Sequence, residues 1–359
     1  TTQLMWSMGF ISLVITAFVY ACKYWILHGV FGQIEADVMH HADVYLLIVT
    51  ASIPFIALYN GGAAVFRAMG NSEVSMKVSL LMNAINVSGN AILIYGFHCG
   101  TEGVAIPTLV SRFVAAFIII KLLLKDKWSL HLERTFRFNP DWSMIRKILS
   151  VGIPNGLENS MFQLGKVLVL SLVSTFGTYA IAANAVSNVI TLFSILPGQA
   201  ICLAVTTVIA RCVGAGDYEQ AKYYNKKLIL LTHIGMAITI FIVFITLPFI
   251  LKVYNLSEAA SEATRHIIWF HGFCAILIWA ESFTLPATFR ACGDAKACMI
   301  ISTVSMWIFR VGASYILGKN LGLGVFGVWV AMIIDWAFRS LLFGIRYFSG
   351  KWKKHALVS

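Results

Sequence analysis

Seven charged side chains fall well away from the ends of long apolar runs of this 359-residue sequence: Glu158, Glu281, Asp335, Arg112, Lys166, Arg310 and Arg339. An ionisable group within a bilayer costs about 3 kcal/mol or more, so it marks a partner, a cavity or a pathway. Glu158 follows Pro154 and Gly156, where irregular backbone opens carbonyls to water or an ion, and Asn155, Asn159 and Gln163 lie close to it in sequence. A carboxylate in such surroundings exchanges a proton, Na⁺ or a cationic ligand. The alternative is a structural ion pair with Lys166 or with another helix. Glu281 stands between Trp279 and Phe283. A carboxylate beside aromatic rings suits flat organic cations, through charge and cation–π attraction; the alternative is a carboxyl that caps Ser282 or a neighbouring helix. Asp335 and Arg339 are four residues apart and share a helix face, as an ion pair requires. With Arg310 on the preceding run they form a charge network, and Na⁺ at Asp335 requires both arginines to turn away. Arg112 has no acidic partner in its own run, and Lys166 has several possible roles: pairing, repelling a proton or reaching the bilayer surface.

The elements that must position these groups are membrane helices. The sequence is 59% hydrophobic and only 12% charged, against roughly a quarter charged in soluble domains. A helix needs about 20 apolar residues to cross a bilayer. Ten runs qualify, at 5–22, 44–66, 78–95, 104–124, 148–176, 179–213, 228–251, 267–289, 299–317 and 324–347. The fifth and sixth are the least regular: the fifth carries Gly152, Pro154, Gly156 and several polar groups, and Pro197 predicts a kink in the sixth. The net charge of +11 is a topology signal, not a nucleic-acid footprint. Nineteen Lys and Arg fall on one side of these runs and four on the other, which assigns the basic side, and with it the C-terminus, to the cytoplasm of a multi-pass cell-membrane protein.

The chain also repeats itself. Phe66-Arg67-Ala68-Met69-Gly70-Asn71 returns 223 positions later as Phe289-Arg290-Ala291-Cys292-Gly293-Asp294, and Gly100 and Gly103-Val104 match Gly324 and Gly327-Val328. A match held in register over roughly a hundred residues, with a single one-residue slip, reads as duplication. Arg67 and Arg290 suit anionic headgroups, and Gly70 and Gly293 suit tight turns between helices. Both loops are expected to set topology, with a possible part in gating. Runs one to four pair with seven to ten, so the expected organisation is an incomplete first lobe at 1–124, a cytoplasmic linker at 125–142 and a six-helix second lobe at 143–359. On this reading two helices precede Thr1. The copies share an orientation, as parallel repeats of transporters do.

With the paired Phe-Arg-Ala loops, the stretch from Gly152 to Lys166 and the stretch from Phe176 to Asn184, the sequence resembles the multidrug and toxic compound extrusion (MATE) family over essentially its whole length. The resemblance implies an all-α, two-lobed exporter of twelve helices, of which this chain holds the third to the twelfth. Such a protein alternates between inward-open and outward-open states and exchanges Na⁺ or H⁺ for cationic or amphipathic compounds. One branch of the family carries an acidic residue near Phe162–Gln163, where Gln163 coordinates but does not titrate. The same branch has an acidic residue about two positions before Glu281. The superfamily also contains lipid-linked-saccharide flippases, the nearest competing reading.

A membrane enzyme is disfavoured. No metalloprotease, nucleophile-elbow or phosphate-loop motif occurs, and no two histidines show ligand spacing on one run. Seven scattered cysteines support neither zinc nor a disulfide framework. The expected protein is a monomer with no cofactor beyond its coupling ion, and its partners are small molecules and lipid.

Overall fold

The computed structural model describes residues 1–30, 36–133 and 140–352. Glu35, Arg134, Arg137, Lys353 and Lys354, which contribute to the charge asymmetry, lie outside them, as does the middle of the 125–142 linker. Among the described residues there is no strand, and helical rods stand where the ten apolar runs predict them. These are α1 (Thr2–Ala21); α2 (Lys23–Trp25), which passes into a π-helical turn; α3 (Ala36–Ala51) and α4 (Ile53–Ala68), parted at Ser52; and α5 (Ser72–Ala91) and α6 (Glu102–Leu123). Then come α7 (Trp142–Ser174), α8 (Thr178–Gly214) and α9 (Tyr218–Tyr254). Next, α10 (Glu258–Trp279) continues through a π segment at Ala280–Thr284 into α11 (Leu285–Ala291). Finally, α12 (Ala295–Ser305) is followed by two π segments, and α13 (Gly324–Phe348) ends the described helices.

Nine described rods are long and apolar enough to cross a membrane. α7 is long enough, at 33 residues. Its polarity sets it apart: Arg146, Lys147, Asn155, Glu158, Asn159, Gln163 and Lys166 all sit on it. α8 runs unbroken as helix through Pro197.

The chain divides into two compact units, Thr1–Ile148 and Leu149–Ser359. The expected second lobe began at residue 143. The division falls later because the first turns of α7, which starts at Trp142, group with the first unit.

The first unit packs Met5, Tyr59, Ala63, Phe66, Val78, Ile119 and Leu123 into one core. Between apolar helices in lipid, close van der Waals fit replaces the hydrophobic effect as the driving term, and small residues allow it. Gly62 shows why: a Cβ there would lie 2.8 Å from the Ile119 side chain. Arg112 donates to the Ser52 hydroxyl at 2.6 Å, so the cation without an acidic partner in its run is bound to the break between α3 and α4.

The second unit holds a core of Leu172, Met236, Ile267, Trp279, Trp329 and Trp336, and a second one around Val205, Ile209, Phe289 and Phe343. Gly198 on α8 faces the Trp279 indole with no room for a side chain, which lets α8 lie against that ring.

The repeat is structural as well as textual. Gly70 and Gly293 both take positive φ, at 81° and 86°. The amides of Asn71 and Asp294 bond back to the Phe66 and Phe289 carbonyls, each at 2.9 Å, closing the same helix-ending turn. Phe66 and Phe289 are both fully buried. Each unit also ends the next rod with a π segment, at Ile92–Gly96 and Tyr315–Asn320. The copies part at one residue. Asn71 caps α5 by accepting from the Val74 amide, whereas Asp294 makes no such cap and accepts a forked pair of hydrogen bonds from Arg346, at 2.6 and 2.9 Å.

Candidate substrate and coupling site

The intramembrane charges of the second unit sort into three arrangements. In the first, Glu158 is buried and accepts from Nη2 of Arg290 through both carboxylate oxygens, at 2.7 and 2.9 Å. Arg339 stands 3.8 Å from the same carboxylate. α7 therefore meets the end of α11 through an ion pair, and the partner of Glu158 is the arginine of the repeat loop, not Lys166. Asn159 is exposed and turns back to its own helix, donating to the Asn155 carbonyl at 2.8 Å. Gln163 is also exposed. Neither is brought to Glu158.

The second arrangement replaces the expected Asp335–Arg339 pair. No ion pair joins them among the described residues. Asp335, fully buried, accepts from the Ser305 hydroxyl at 2.5 Å, while Arg339 donates to the Ser302 hydroxyl at 2.9 Å. Residues 302 and 305 lie three apart on α12, so one face of that helix offers two hydroxyls to two neighbouring turns of α13. Arg339 then covers the Phe283 ring at 4.7 Å. Arg310 lies in the π segment after α12, above the Phe162 ring at 5.2 Å.

Glu281 belongs to the third. It lies in the π segment between α10 and α11, and its Oε1 is 3.0 Å from Nε2 of His233 on α9. The other ring nitrogen of His233 is 2.6 Å from the Ile276 carbonyl. That contact fixes the ring: Nδ1 must donate to the carbonyl, so Nε2 carries a proton only in the imidazolium form. Glu281 Oε2 is buried without a hydrogen-bond partner among the described residues. π turns recur at functional positions because they re-aim a side chain at the expense of a regular bond. Here Trp279 and Phe283 stack on each other at 5.0 Å, and Glu281 points elsewhere, to α9.

Trp279 and Phe283 help to line a cavity of about 460 Å³ within the second unit, together with Phe162, Lys166, Arg310 and Trp336. A smaller space of about 250 Å³ shares Lys166, Arg310 and Trp329 and adds Asn184, whose amide oxygen accepts from the Trp329 indole at 3.1 Å. The size suits a drug-sized molecule. Neither lining includes an aspartate or glutamate. Sequence reasoning did not single out His233, Phe162 or Trp329. His233 had a signal, as the lone ionisable group within the apolar run 228–251. Phe162 and Trp329 had none, since a ring that lines a cavity is spelled like one that fills a core.

Membrane-length helices, an internal duplication and an aromatic cavity with buried charge define a multi-pass membrane transporter rather than an enzyme. The chain belongs to the MatE family, whose profile matches residues 1–92 and 154–316. It is 26% identical over 339 residues to the probable multidrug resistance protein NorM of Thermotoga maritima, covering 93% of this chain and 72% of that protein. It is 28% identical over 352 residues to the transporter YisQ of Bacillus subtilis, covering 96% and 75% of the two. Among solved structures, an outward-facing multidrug resistance MATE transporter of the MOP superfamily superposes with a TM-score of 0.87 at 19% identity, over 98% of this chain and 80% of the other. At that identity the likeness establishes the two-lobed helical fold alone.

Proposed function

We propose that the protein is a secondary active exporter of small amphipathic molecules, driven by H⁺ rather than Na⁺, with the basic side of its helices in the cytoplasm. The observation that supports the choice of ion is the His233–Glu281 contact of 3.0 Å. A histidine and a carboxylate at hydrogen-bond distance form a unit that gains or loses a proton and that two helices hold jointly. No other charged side chain stands within ion-pair distance of either among the described residues. The two carboxylates weighed as Na⁺ sites are less suited to a cation. Glu158 already has Arg290 against it and Arg339 near it, and Asp335 lies near enough to Arg310 and Arg339 to interact with both charges. Family membership supports small-molecule export.

The test is the pH response of dye export from everted membrane vesicles. Wild-type protein should export in response to an imposed pH gradient, and Glu281→Gln should lose at least about tenfold of that response, the usual scale of one proton-transfer group. Export by Glu281→Gln with the wild-type pH profile would remove the pair from the mechanism.

A further inference from the structure

Three cations converge on one aromatic ring of the second unit. Lys166 Nζ lies 5.0 Å from the centroid of Phe162, Arg310 lies 5.2 Å away and Arg339 lies 5.9 Å away. They come from α7, from the π segment after α12 and from α13, so the fold assembles the cluster from three rods. Lys166 and Arg310 line the 460 Å³ cavity directly. Arg339 stands behind its wall, over the rings of Phe162 and Phe283, with Nε and Nη1 buried and lacking hydrogen-bond partners among the described residues. Of the negative groups nearby, Glu158 is held by Arg290 and stands 3.8 Å from Arg339, and Glu281 turns to His233. Asp335 accepts from Ser305 through Oδ1, while its buried Oδ2 has no hydrogen-bond partner among the described residues. No carboxylate lies within ion-pair distance of Lys166 or Arg310 among the described residues.

Three like charges around one ring repel one another in a medium that screens poorly. Aromatic faces offset part of that repulsion. An anionic group offsets far more, and it would bring charge-assisted hydrogen bonds with it. The rings of Trp279, Phe283, Trp329 and Trp336 also face the space, beside the polar side chains of Asn188, Thr191, Gln199 and His271.

We propose that this cavity takes an organic anion, a sulfonate or carboxylate borne on an aromatic body, with its charge at Lys166 and Arg310 and its rings against the tryptophans. This rests on the exporter reading and reverses the charge of the substrates that the family resemblance implies.

Two dyes on one xanthene skeleton make the test: sulforhodamine B, an anion, and the ethyl ester of rhodamine B, a cation. Binding to the full-length purified protein is followed by fluorescence anisotropy at fixed pH. The anion should bind about tenfold tighter or better, and Lys166→Gln and Arg310→Gln should each weaken it by about tenfold, the order of one partly screened charge contact. Arg310→Lys should retain most of the affinity. Lys166 is exposed, so its variant reports on charge even if replacing Arg310 disturbs the fold. Equal or tighter binding of the cation, binding of neither dye, or variants within about twofold of wild type for the anion would each overturn the proposal. Gradient-driven export of the same dyes is read separately. Export of the cation with no binding of the anion would leave the exporter standing and remove the anion site. Tight binding of the anion with export of neither dye under any gradient would do the reverse.

Discussion

Glu158 is the residue whose meaning depends most on its neighbours. Alone in an apolar helix it reads as an ion-exchange carboxylate. Beside Arg290 it is half of a buried pair that ties α7 to α11. Removing one partner of a buried pair strands the other, at about 3–5 kcal/mol, whereas removing both costs much less. Thermal unfolding in detergent should therefore show Glu158→Gln and Arg290→Gln each strongly destabilised, with the double variant well above the sum of the two losses. Additive losses would mean that the pair is not coupled. Nothing in the sequence disclosed this partnership, because the residues are 132 positions apart. The opposite happened with Asp335 and Arg339. Their spacing is ideal for a helical pair, but Ser305 and Ser302 of α12 compete for them and win. Local spacing states what is possible; packing against a second helix decides.

At the scale of elements, most of the architecture was legible. Long apolar runs place the rods, because a bilayer leaves backbone no other way to satisfy itself. The π segments were not legible, and Glu281 sits in one. Glycines show the difference between a turn that needs its residue and a helix that tolerates it. Gly293 holds φ at 86° in the repeat turn, whereas Gly156 lies in α7 with open space around a would-be Cβ. Gly293→Ala should lower stability by about 1–2 kcal/mol, the cost of a left-handed alanine. Gly156→Ala should raise it by about 0.5–1 kcal/mol through helix propensity. Both are read from unfolding midpoints, and a Gly293→Ala protein as stable as wild type would contradict the turn assignment. The irregularity inferred for the fifth run from Gly152, Pro154 and Gly156 belongs to its composition, since α7 is helical throughout that stretch.

At the scale of the whole molecule, duplication and divergence explain different things. The shared Phe-Arg-Ala turns, buried phenylalanines and π ends give each unit the same helix-to-helix connection. Beyond these shared features, the second copy makes charged contacts: Asp294 accepts from Arg346 where Asn71 caps a helix, and Arg290, the counterpart of Arg67, pairs with Glu158 on α7, a helix outside the matched repeat. The second unit thus carries the cavity, the cation cluster and the His233–Glu281 pair in one folded body. The central claim is that this body couples proton movement to the movement of a small molecule. It is tested most directly in Na⁺-free proteoliposomes of the full-length protein, with the membrane potential clamped and a pH dye inside. Adding transported substrate should drive a proton flux of opposite direction, and that flux should vanish in Glu281→Gln. Substrate movement without proton flux, or movement that begins only when Na⁺ is supplied, would contradict the account.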